Sequence, residues 1–468
     1  MKLTLGEIAA VLNAGGGARQ GVATGYSIDS RTLRAGDLFF AMRGPRFDGH
    51  QFLAQALERG AAGAVVERAF FEQAAADQTA RLLAVDSPLE ALQQLGRWAR
   101  RQWGRPLVAV SGSTGKSTTK EMIAALLGRR FSVHKSQGNL NNHYGLPLTL
   151  LELEPEHEIA VVELAMSAAG ELTHLASMAE PETGVVTNVA AVHLKFFDSV
   201  ESIARAKREL IENLSWRHGA PTAVLNYDDP RVRRFGEEFQ GTVVTFGMSA
   251  GADFQALWVK PGEPMGSEFR VVGPNLDADL ALPLPGRHNV QNALAAIAVA
   301  CDFDVAPAEI RRGLAEFRGL PQRGQILTLP GPVTVINDCY NSNPLAMASL
   351  LETIRDWPGA GRRIAVAGEM LELGPQSAAL HSATGRLCAE SGLAWLIAVQ
   401  GDARFFLEGA RRAGFPETQT RFFVEAQAAG EFCRSLLQPG DVVLVKGSRG
   451  VHLETVTEML GKVEELRS

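Results

Sequence analysis

Residues 110–118 are Val-Ser-Gly-Ser-Thr-Gly-Lys-Ser-Thr, and they stand between an apolar run, Leu107–Val110, and a helical pattern that continues through Leu127. Glycines let backbone N–H groups turn towards a phosphate, and a helix N-terminus adds about half a positive charge. The stretch is a shorter relative of the Walker phosphate loop, because Val110 stands where the strict pattern has its first glycine. The alternative is a glycine-rich turn with a chance Gly-Lys-Ser. The flanking strand and helix favour a nucleotide phosphate site.

The phosphate loop also predicts the residues that bind the nucleotide and its ion. We expect Lys116 to reach the β- and γ-phosphates, and the hydroxyl of Ser117 or Thr118 to bind Mg²⁺. The residues expected to contact ATP from this loop are Gly112, Ser113, Thr114, Gly115, Lys116, Ser117 and Thr118.

Two further polar residues follow predicted strands. Glu163 comes directly after the apolar run Ile159–Val162, and His193 follows the strand that ends near Asn188. Because the carboxyl ends of parallel strands meet at one edge of a sheet, both side chains are candidates for the same ion site. The alternative for each residue alone is an ordinary loop position.

Lys207 is unusual because it interrupts the apolar face of a predicted helix, 198–214. Ile203, Ala204, Leu210 and Ile211 share that face, where a solvated lysine is not expected. One interpretation is a lysine whose stem packs while its ammonium reaches water. The other is a desolvated lysine, which loses its proton more easily and is open to modification.

The order of the predicted elements indicates an α/β protein. Strands and helices alternate from residue 107 onwards as in a parallel sheet, residues 242–284 are richer in strand pattern, and the last 150 residues alternate again. Four strands are expected there, at 333–336, 363–367, 395–399 and 442–445, with helices between them. This arrangement predicts a second doubly wound domain.

Composition limits the class of protein. A chain of 468 residues predicts two to four domains, and its net charge of −6 gives no electrostatic basis for binding a nucleic acid polymer. No apolar run approaches 18 residues, so no membrane insertion is expected. The N-terminus reaches Glu7 before a signal-peptide core can form, and the four cysteines lie far apart. We therefore expect a reduced, cytoplasmic protein.

Longer motifs resemble the Mur ligases of peptidoglycan synthesis. They are the phosphate loop, the run 138–149 (Gly-Asn-Leu-Asn-Asn-His-Tyr-Gly-Leu-Pro-Leu-Thr) and the run 286–296 (Gly-Arg-His-Asn-Val-Gln-Asn-Ala-Leu-Ala-Ala). The resemblance continues in order from Asp29 to Arg449. It implies three domains: a small α/β UDP-binding domain at 1–85, a central P-loop parallel-sheet ATPase domain at 86–317 and a C-terminal Rossmann-like domain at 318–468.

The resemblance also implies roles for individual residues. The implied UDP-substrate contacts are Ser30, Arg31, Asp48 and Gly49. The implied ATP contacts beyond the loop are His288, Asn289, Asn292, Arg323 and Asp338. The implied magnesium ligands are Ser117, Glu163, His193 and Lys207, and Lys207 matches a lysine that is carbamylated in several Mur ligases. The implied catalytic groups are Lys116, Lys207, His193 and Arg323. Asn341 and Asn343 match the loop that receives the incoming dipeptide; from the residues alone, Asn343 and Pro344 indicate a helix N-cap, which is compatible with that function.

The resemblance implies an ATP-dependent ligase that adds D-alanyl-D-alanine to UDP-N-acetylmuramoyl-tripeptide through an acyl phosphate. The enzyme is expected to act as a monomer, with domain closure about hinges near 104–106 and 319–322. Three alternatives stay open: a sister ligase that adds one amino acid, a folylpolyglutamate synthetase, and a nucleotide-gated binding protein that does not ligate. The third residue of the tripeptide, meso-diaminopimelate or lysine, is not specified by the sequence.

Overall fold

The first part of the chain is organised around a four-stranded parallel sheet. The computed structural model describes residues 1–17, 20–44, 47–74, 79–192, 194–262, 265–359 and 361–461. The sheet order is Gly25–Ser27, Asp37–Phe40, Gly63–Glu67 and Leu82–Val85. Two short antiparallel pairs are Leu3–Thr4 with Val22–Ala23 and Arg43–Gly44 with Phe47–Asp48. The helices are Leu5–Leu12, Leu53–Glu58 and Arg68–Phe71.

The helix Pro88–Trp103 connects this part to the next. Ser87 caps its N-terminus by accepting a hydrogen bond from the backbone N–H of Glu90, and Gly104 ends it in the left-handed region at φ 65°. Its apolar face, with Leu92 and Leu95, packs into the core of the first sheet. The same helix is bonded to the central part of the chain through Arg100, as described below.

Arg100 is completely buried and fixes the end of this helix to the central part of the chain. Its guanidinium donates to the carbonyl oxygens of Ala179 at 2.6 Å and Glu180 at 3.0 Å, and it pairs with the carboxylate of Glu182 at 3.0 Å. Breaking a buried pair of this kind costs about 3–5 kcal/mol. These bonds span the hinge expected at 104–106 and fix the helix to the central part, so the structure argues against a hinge there.

The central part is a nine-stranded sheet. In spatial order its strands are Val133–Lys135, Ile159–Glu163, Leu107–Ser111, Thr183–Val186, Thr222–Asn226, Thr242–Gly247, Phe254–Gly262, Gly266–Gly273 and Leu276–Leu282. The first seven strands are parallel and the last two continue as antiparallel neighbours. The strand-rich character expected for 242–284 is therefore confirmed.

Helices cover both faces of this sheet. They are Lys116–Leu127, Gly145–Leu151, Glu171–Ala179, Val200–Glu212, Pro230–Arg233, Arg287–Asp302 and Pro307–Ala315. Lys116–Leu127 and Arg287–Asp302 share one core, whereas Glu171–Ala179 and Val200–Glu212 share the core on the opposite face. Among the described helices, none is long and apolar enough to cross a membrane.

The C-terminal part is a six-stranded sheet in the order Gln325–Leu329, Val333–Asp338, Val442–Lys446, Arg363–Gly368, Trp395–Val399 and Thr420–Phe423. The first pair is antiparallel and all other neighbours are parallel. Its helices are Pro344–Arg355, Ser377–Glu390, Arg404–Arg412, Ala426–Leu436 and Glu454–Gly461. The four expected strands are confirmed, and the two edge strands were not predicted. The fold class, α/β with three sheet-based parts, is as expected.

Candidate active site

The phosphate loop follows the buried strand Leu107–Ser111 and leads directly into the helix that begins at Lys116. Gly112 and Gly115 have φ values of 148° and 78°, in the region that favours glycine. A Cβ atom at Gly112 would lie 1.9 Å from the hydroxyl of Thr187, and one at Gly115 would lie 2.3 Å from Asn292. Both positions therefore require glycine for the loop to approach its neighbours.

Asn188 holds the loop from the neighbouring strand. Its backbone oxygen accepts from the N–H of Ser113 at 2.9 Å, and its side-chain oxygen accepts from the N–H of Thr114 at 2.9 Å. Its amide also donates to the Thr114 hydroxyl at 2.8 Å. The sequence analysis did not assign Asn188 to the site. Its position at the end of a parallel strand was the available signal.

Lys116 lies at the centre of the site. Its ammonium donates to the carbonyl oxygen of Gly112 at 3.0 Å. Burial lowers the pKa of Lys116, the charge of Glu163 opposes that shift, and the charge of Arg323 adds to it. The lysine charge is thus poorly solvated here, which favours a phosphate as its partner.

Glu163 and Ser117 are in direct contact, as expected for two ligands of one ion. The Ser117 hydroxyl donates to one carboxylate oxygen of Glu163 at 2.5 Å, and the amide of Asn141 donates to the other at 2.8 Å. Mg²⁺ prefers oxygen ligands and is commonly bound by one or two carboxylates together with phosphate oxygens. A hydroxyl and a carboxylate beside a phosphate loop fit this ion. The described residues contain no cluster of three or more acidic, histidine or cysteine side chains that would bind a metal without a nucleotide.

Lys207 is buried in the helix Val200–Glu212, with 2% of its surface exposed. Its pKa is lowered well below the usual lysine value, first by burial and then by the charge of Lys116. The surface-reaching interpretation is therefore wrong, and the desolvated one fits. His193, the other ligand candidate from this region, lies outside the described residues.

The helix Arg287–Asp302 supplies polar groups to the other side of the loop. Asn292 accepts from the Thr119 hydroxyl at 3.2 Å, and the Asn289 amide donates to the Pro285 carbonyl at 2.8 Å. The Nδ1 atom of His288 is buried without a hydrogen-bond partner. Burial lowers the pKa of His288 to about 4, although Asp338 opposes the shift. A neutral imidazole is therefore expected near neutral pH.

The C-terminal part closes the site with Arg323 and Asp338. The Arg323 guanidinium lies 4.0 Å from the ring centroid of Tyr340, at the distance of a cation–π contact. Asp338 pairs with Lys446, and the Lys446 ammonium also donates to the carbonyl oxygen of Asn341 at 2.9 Å. Lys446 is 1% exposed and was not assigned to the site from the sequence. It joins Asp338 to the loop at Asn341.

Two adjoining cavities form one cleft between the central and C-terminal parts. The cavity of about 540 Å³ is lined by the phosphate loop, Glu163, Arg323 and Asp338. The cavity of about 1170 Å³ extends from Lys116 past Asn341 towards the start of the helix Pro88–Trp103. The residues that line both are Ser113, Lys116, Asn139, Asn141, Ala165, Tyr340, Asn341 and Asn343. By volume, the two cavities have room for a nucleotide and a second substrate side by side.

Asn343 has a second role at this cleft. Its side chain accepts a hydrogen bond from the N–H of Ala346 at 2.9 Å and caps the helix Pro344–Arg355. The predicted N-cap is confirmed, and the capped helix N-terminus lies at the cleft.

The four residues expected to contact UDP lie in the first part of the chain. They are not among the described residues that line the two cavities. The Ser30 hydroxyl donates to Gln55 at 2.8 Å, and Arg31 is exposed and paired with Asp29. Asp48 accepts from the N–H of His50 at 3.0 Å, and Gly49 approaches the backbone of Met42 so closely that a Cβ would lie 2.6 Å from the Met42 carbonyl oxygen. The structure therefore does not bring them together with the phosphate loop.

Three family profiles match this chain, and all three describe Mur ligases. The profile described as Mur ligase family, catalytic domain, matches residues 22–100; the Mur ligase middle domain matches 110–300; and the Mur ligase, glutamate ligase domain, matches 322–449. The UDP-N-acetylmuramoyl-tripeptide–D-alanyl-D-alanine ligase of Bacillus subtilis is 33% identical over 443 residues, 94% of each chain.

Two solved structures share the complete fold. The MurF structure from Acinetobacter baumannii superimposes with a TM-score of 0.88 at 30% identity and covers 99% of both chains. The MurF ligase from Thermotoga maritima, in complex with ADP, superimposes with a TM-score of 0.82 at 29% identity and covers 95% of this chain and 99% of the other.

Proposed function

The chain belongs to the Mur ligase family, and we propose that it joins D-alanyl-D-alanine to UDP-N-acetylmuramoyl-tripeptide, converting ATP to ADP and phosphate. The product is the UDP-linked pentapeptide precursor of peptidoglycan. The observation that supports this most directly is a single cleft in which Lys116 and Glu163 of the central part lie beside Arg323 and Asn341 of the C-terminal part. A phosphate site thus adjoins a second, larger substrate cavity.

The first step activates the donor. A carboxylate oxygen at the end of the tripeptide attacks the γ-phosphorus of ATP, the bond between that phosphorus and the bridging oxygen breaks, and ADP leaves. Lys116 and Arg323 line the same cavity from two parts of the chain, so they neutralise charge that develops on the transferred group. The product of this step is an acyl phosphate.

Ser117 and Glu163 would hold the Mg²⁺ that accompanies ATP, and the ion would supply Lewis-acid neutralisation of the phosphate charge. The residues support this assignment because the Ser117 hydroxyl and the Glu163 carboxylate are already in contact at 2.5 Å. Asn141 orients the second oxygen of that carboxylate.

The second step forms the amide bond. The free amine of D-alanyl-D-alanine attacks the acyl carbon, a tetrahedral intermediate forms, and phosphate leaves as the amine gives up its proton. Asn341 and Asn343 line the larger cavity next to Lys116, where the incoming dipeptide would bind. Enclosure between two domains excludes water, which would otherwise hydrolyse the acyl phosphate.

Lys207 would act as a carbamate. Burial and the nearby Lys116 favour its neutral amine, and a neutral amine adds to CO₂ and releases one proton. The resulting anion would offset the charge of Lys116 and, together with His193, complete the set of metal ligands that the family resemblance implies. This gives a reason for a lysine on an apolar helix face.

The first part of the chain would hold the UDP group of the donor, through Ser30, Arg31, Asp48 and Gly49. We also propose a monomer as the active form. A reaction that consumes ATP and a UDP-linked precursor belongs in the compartment that holds both, and we place it in the cytoplasm.

Phosphate release from ATP, measured with each candidate donor and acceptor, tests this function. We expect release only when UDP-N-acetylmuramoyl-tripeptide and D-alanyl-D-alanine are both present, with donors containing meso-diaminopimelate and lysine compared in parallel. Release with single amino acids would favour a sister ligase, and release with a folate and glutamate would favour folylpolyglutamate synthesis. ATP binding without release under any condition would favour a binding protein.

A further inference from the structure

Lys120 is a buried lysine that lies behind the proposed site. It stands one helical turn after Lys116, only 1% of its surface is exposed, and it is not among the described residues that line either cavity. Lys120 thus lies outside the lining of the cleft proposed to bind ATP. A buried ammonium is costly unless its contacts compensate for lost water.

The contacts of Lys120 lead to Glu163 through one residue. The Lys120 ammonium donates to the carbonyl oxygen of Ser136 at 2.5 Å. The Ser136 hydroxyl accepts from the backbone N–H of Glu163 at 3.1 Å, and the Ser136 N–H donates to the carbonyl oxygen of Val161 at 3.1 Å. Ser136 is itself 1% exposed. The lysine thus fixes the residue that holds the backbone of Glu163.

The topology explains why such a connection is needed. Glu163 ends the strand Ile159–Glu163, and Ser136 follows the edge strand Val133–Lys135, which pairs with it in parallel. The phosphate-loop helix, with Lys120, packs on the same sheet. The separation between the Ser117 hydroxyl and the Glu163 carboxylate depends on how helix and strand are fixed to each other, and Lys120 and Ser136 provide that fixed point.

A neighbouring lysine lacks this connection. Glu121 pairs with Lys120 at 2.9 Å and also with Lys135. Lys135 is 37% exposed and shares only the carboxylate. The two lysines therefore differ in the contact that reaches Ser136.

We propose that Lys120 and Ser136 are positioning residues that set the affinity of the Ser117–Glu163 pair for the divalent cation bound with the nucleotide. This inference rests on the proposed function only in assigning Glu163 as a metal ligand. Partners of metal ligands commonly change metal affinity by about 10–100-fold when they are removed. Neither residue would touch the ion or the reacting atoms.

The experiment measures Mn²⁺ binding by electron paramagnetic resonance in the presence of saturating ADP, for the full-length protein and its variants. We expect Lys120→Met and Ser136→Ala to raise the Mn²⁺ dissociation constant about tenfold, and Lys135→Met to leave it within about twofold. ADP binding without metal is measured alongside and should be unchanged. Ser136→Ala removes a single hydroxyl, so it tests the proposal even if Lys120→Met does not fold.

Two outcomes would overturn the proposal. The first is an unchanged Mn²⁺ dissociation constant in a folded Ser136→Ala protein, which would leave Lys120 and Ser136 as packing alone. The second is an unchanged constant in Glu163→Gln, which would show that Glu163 is not a ligand. Failure of ligation by wild-type protein that still binds Mn²⁺ and ADP would contradict the proposed function and leave this inference intact.

Discussion

At the scale of single residues, Lys116 is the group on which the proposed chemistry depends most. Replacing it with alanine removes the partly buried cation beside the phosphate loop. We expect Lys116→Ala to lower phosphate release at saturating substrates by about 10³-fold, the scale measured for lost transition-state charge partners. A stopped assay of phosphate release provides the measurement, and a thermal unfolding curve shows whether the variant is folded. Near-normal turnover would exclude the assigned role.

Lys207 offers a chemical test that Lys116 does not. If Lys207 acts as a carbamate, Lys207→Ala should be inactive and partly restored by a short carboxylic acid, because a free carboxylate can occupy the space of the missing anion. Activity is measured as phosphate release over a range of acetate and propionate concentrations. Lys116→Ala is the control and should gain nothing from the same acids. Full activity of unrescued Lys207→Ala would make this lysine purely structural.

His288 predicts how stability changes with pH. Its folded-state pKa of about 4 lies below the usual histidine value, so the unfolded chain binds more protons than the native protein between those two values. The free energy of unfolding should therefore fall as pH decreases through this window, from about 6.5 to about 4, and the contribution should be lost below it. His288→Asn should reduce this loss by up to about 3 kcal/mol. The free energy of unfolding is measured in urea at pH 4.5 and pH 7 for both proteins. An equal change of this free energy with pH in both proteins would contradict the prediction.

At the scale of elements, the N-cap of the helix Pro344–Arg355 contributes to the stability of the protein and, by our proposal, also to substrate binding. Asn343→Ala removes the side-chain acceptor for the N–H of Ala346 and should cost about 1 kcal/mol of stability. Asn343→Asp keeps a capping oxygen and should retain that stability. If Asn343 also contacts the dipeptide, both variants should raise the KM for D-alanyl-D-alanine. Steady-state kinetics and thermal unfolding separate the two effects, and an unchanged KM in both would leave Asn343 as a cap only.

The elements also show what a sequence can and cannot reveal. The phosphate loop, its strand and its helix were predicted because glycine and lysine spacing is local. The apolar stripe around Lys207 allowed two interpretations, and burial was one of them. By contrast, the edge strands Gln325–Leu329 and Thr420–Phe423 are short and only partly buried, so they lack a strong pattern.

Residues held in place by distant strands were missed for a different reason. Asn188 lies 74 positions from Thr114, and Lys446 lies 108 positions from Asp338. Only the order of strands in the two sheets makes these residues neighbours. The proposed UDP contacts and the role of His193 stay predictions.

At the scale of the whole molecule, the contacts of Arg100 predict which parts move together. The helix Pro88–Trp103 should stay fixed to the central sheet, while the C-terminal part should rotate about the segment near Gln322, which has a left-handed φ of 60°. Adding a non-hydrolysable ATP analogue and the donor substrate should change the distance between spin labels at Glu156 and Glu390. Labels at Gln102 and Glu156 should keep their distance. A change in the distance between the labels at Gln102 and Glu156 would instead indicate a hinge at 104–106.

The shared helix also limits how such a protein can be assembled by recombination. Leu92 and Leu95 belong to the core of the first sheet, whereas Arg100 and Trp103 belong to the central part. Recombination that exchanges the first domain has no clean boundary at either end of this helix. A crossover at either end separates one helix face from the residues against which that face packs. A new first domain must therefore arise together with a matching helix face, which favours gradual change at this joint over replacement of the whole domain.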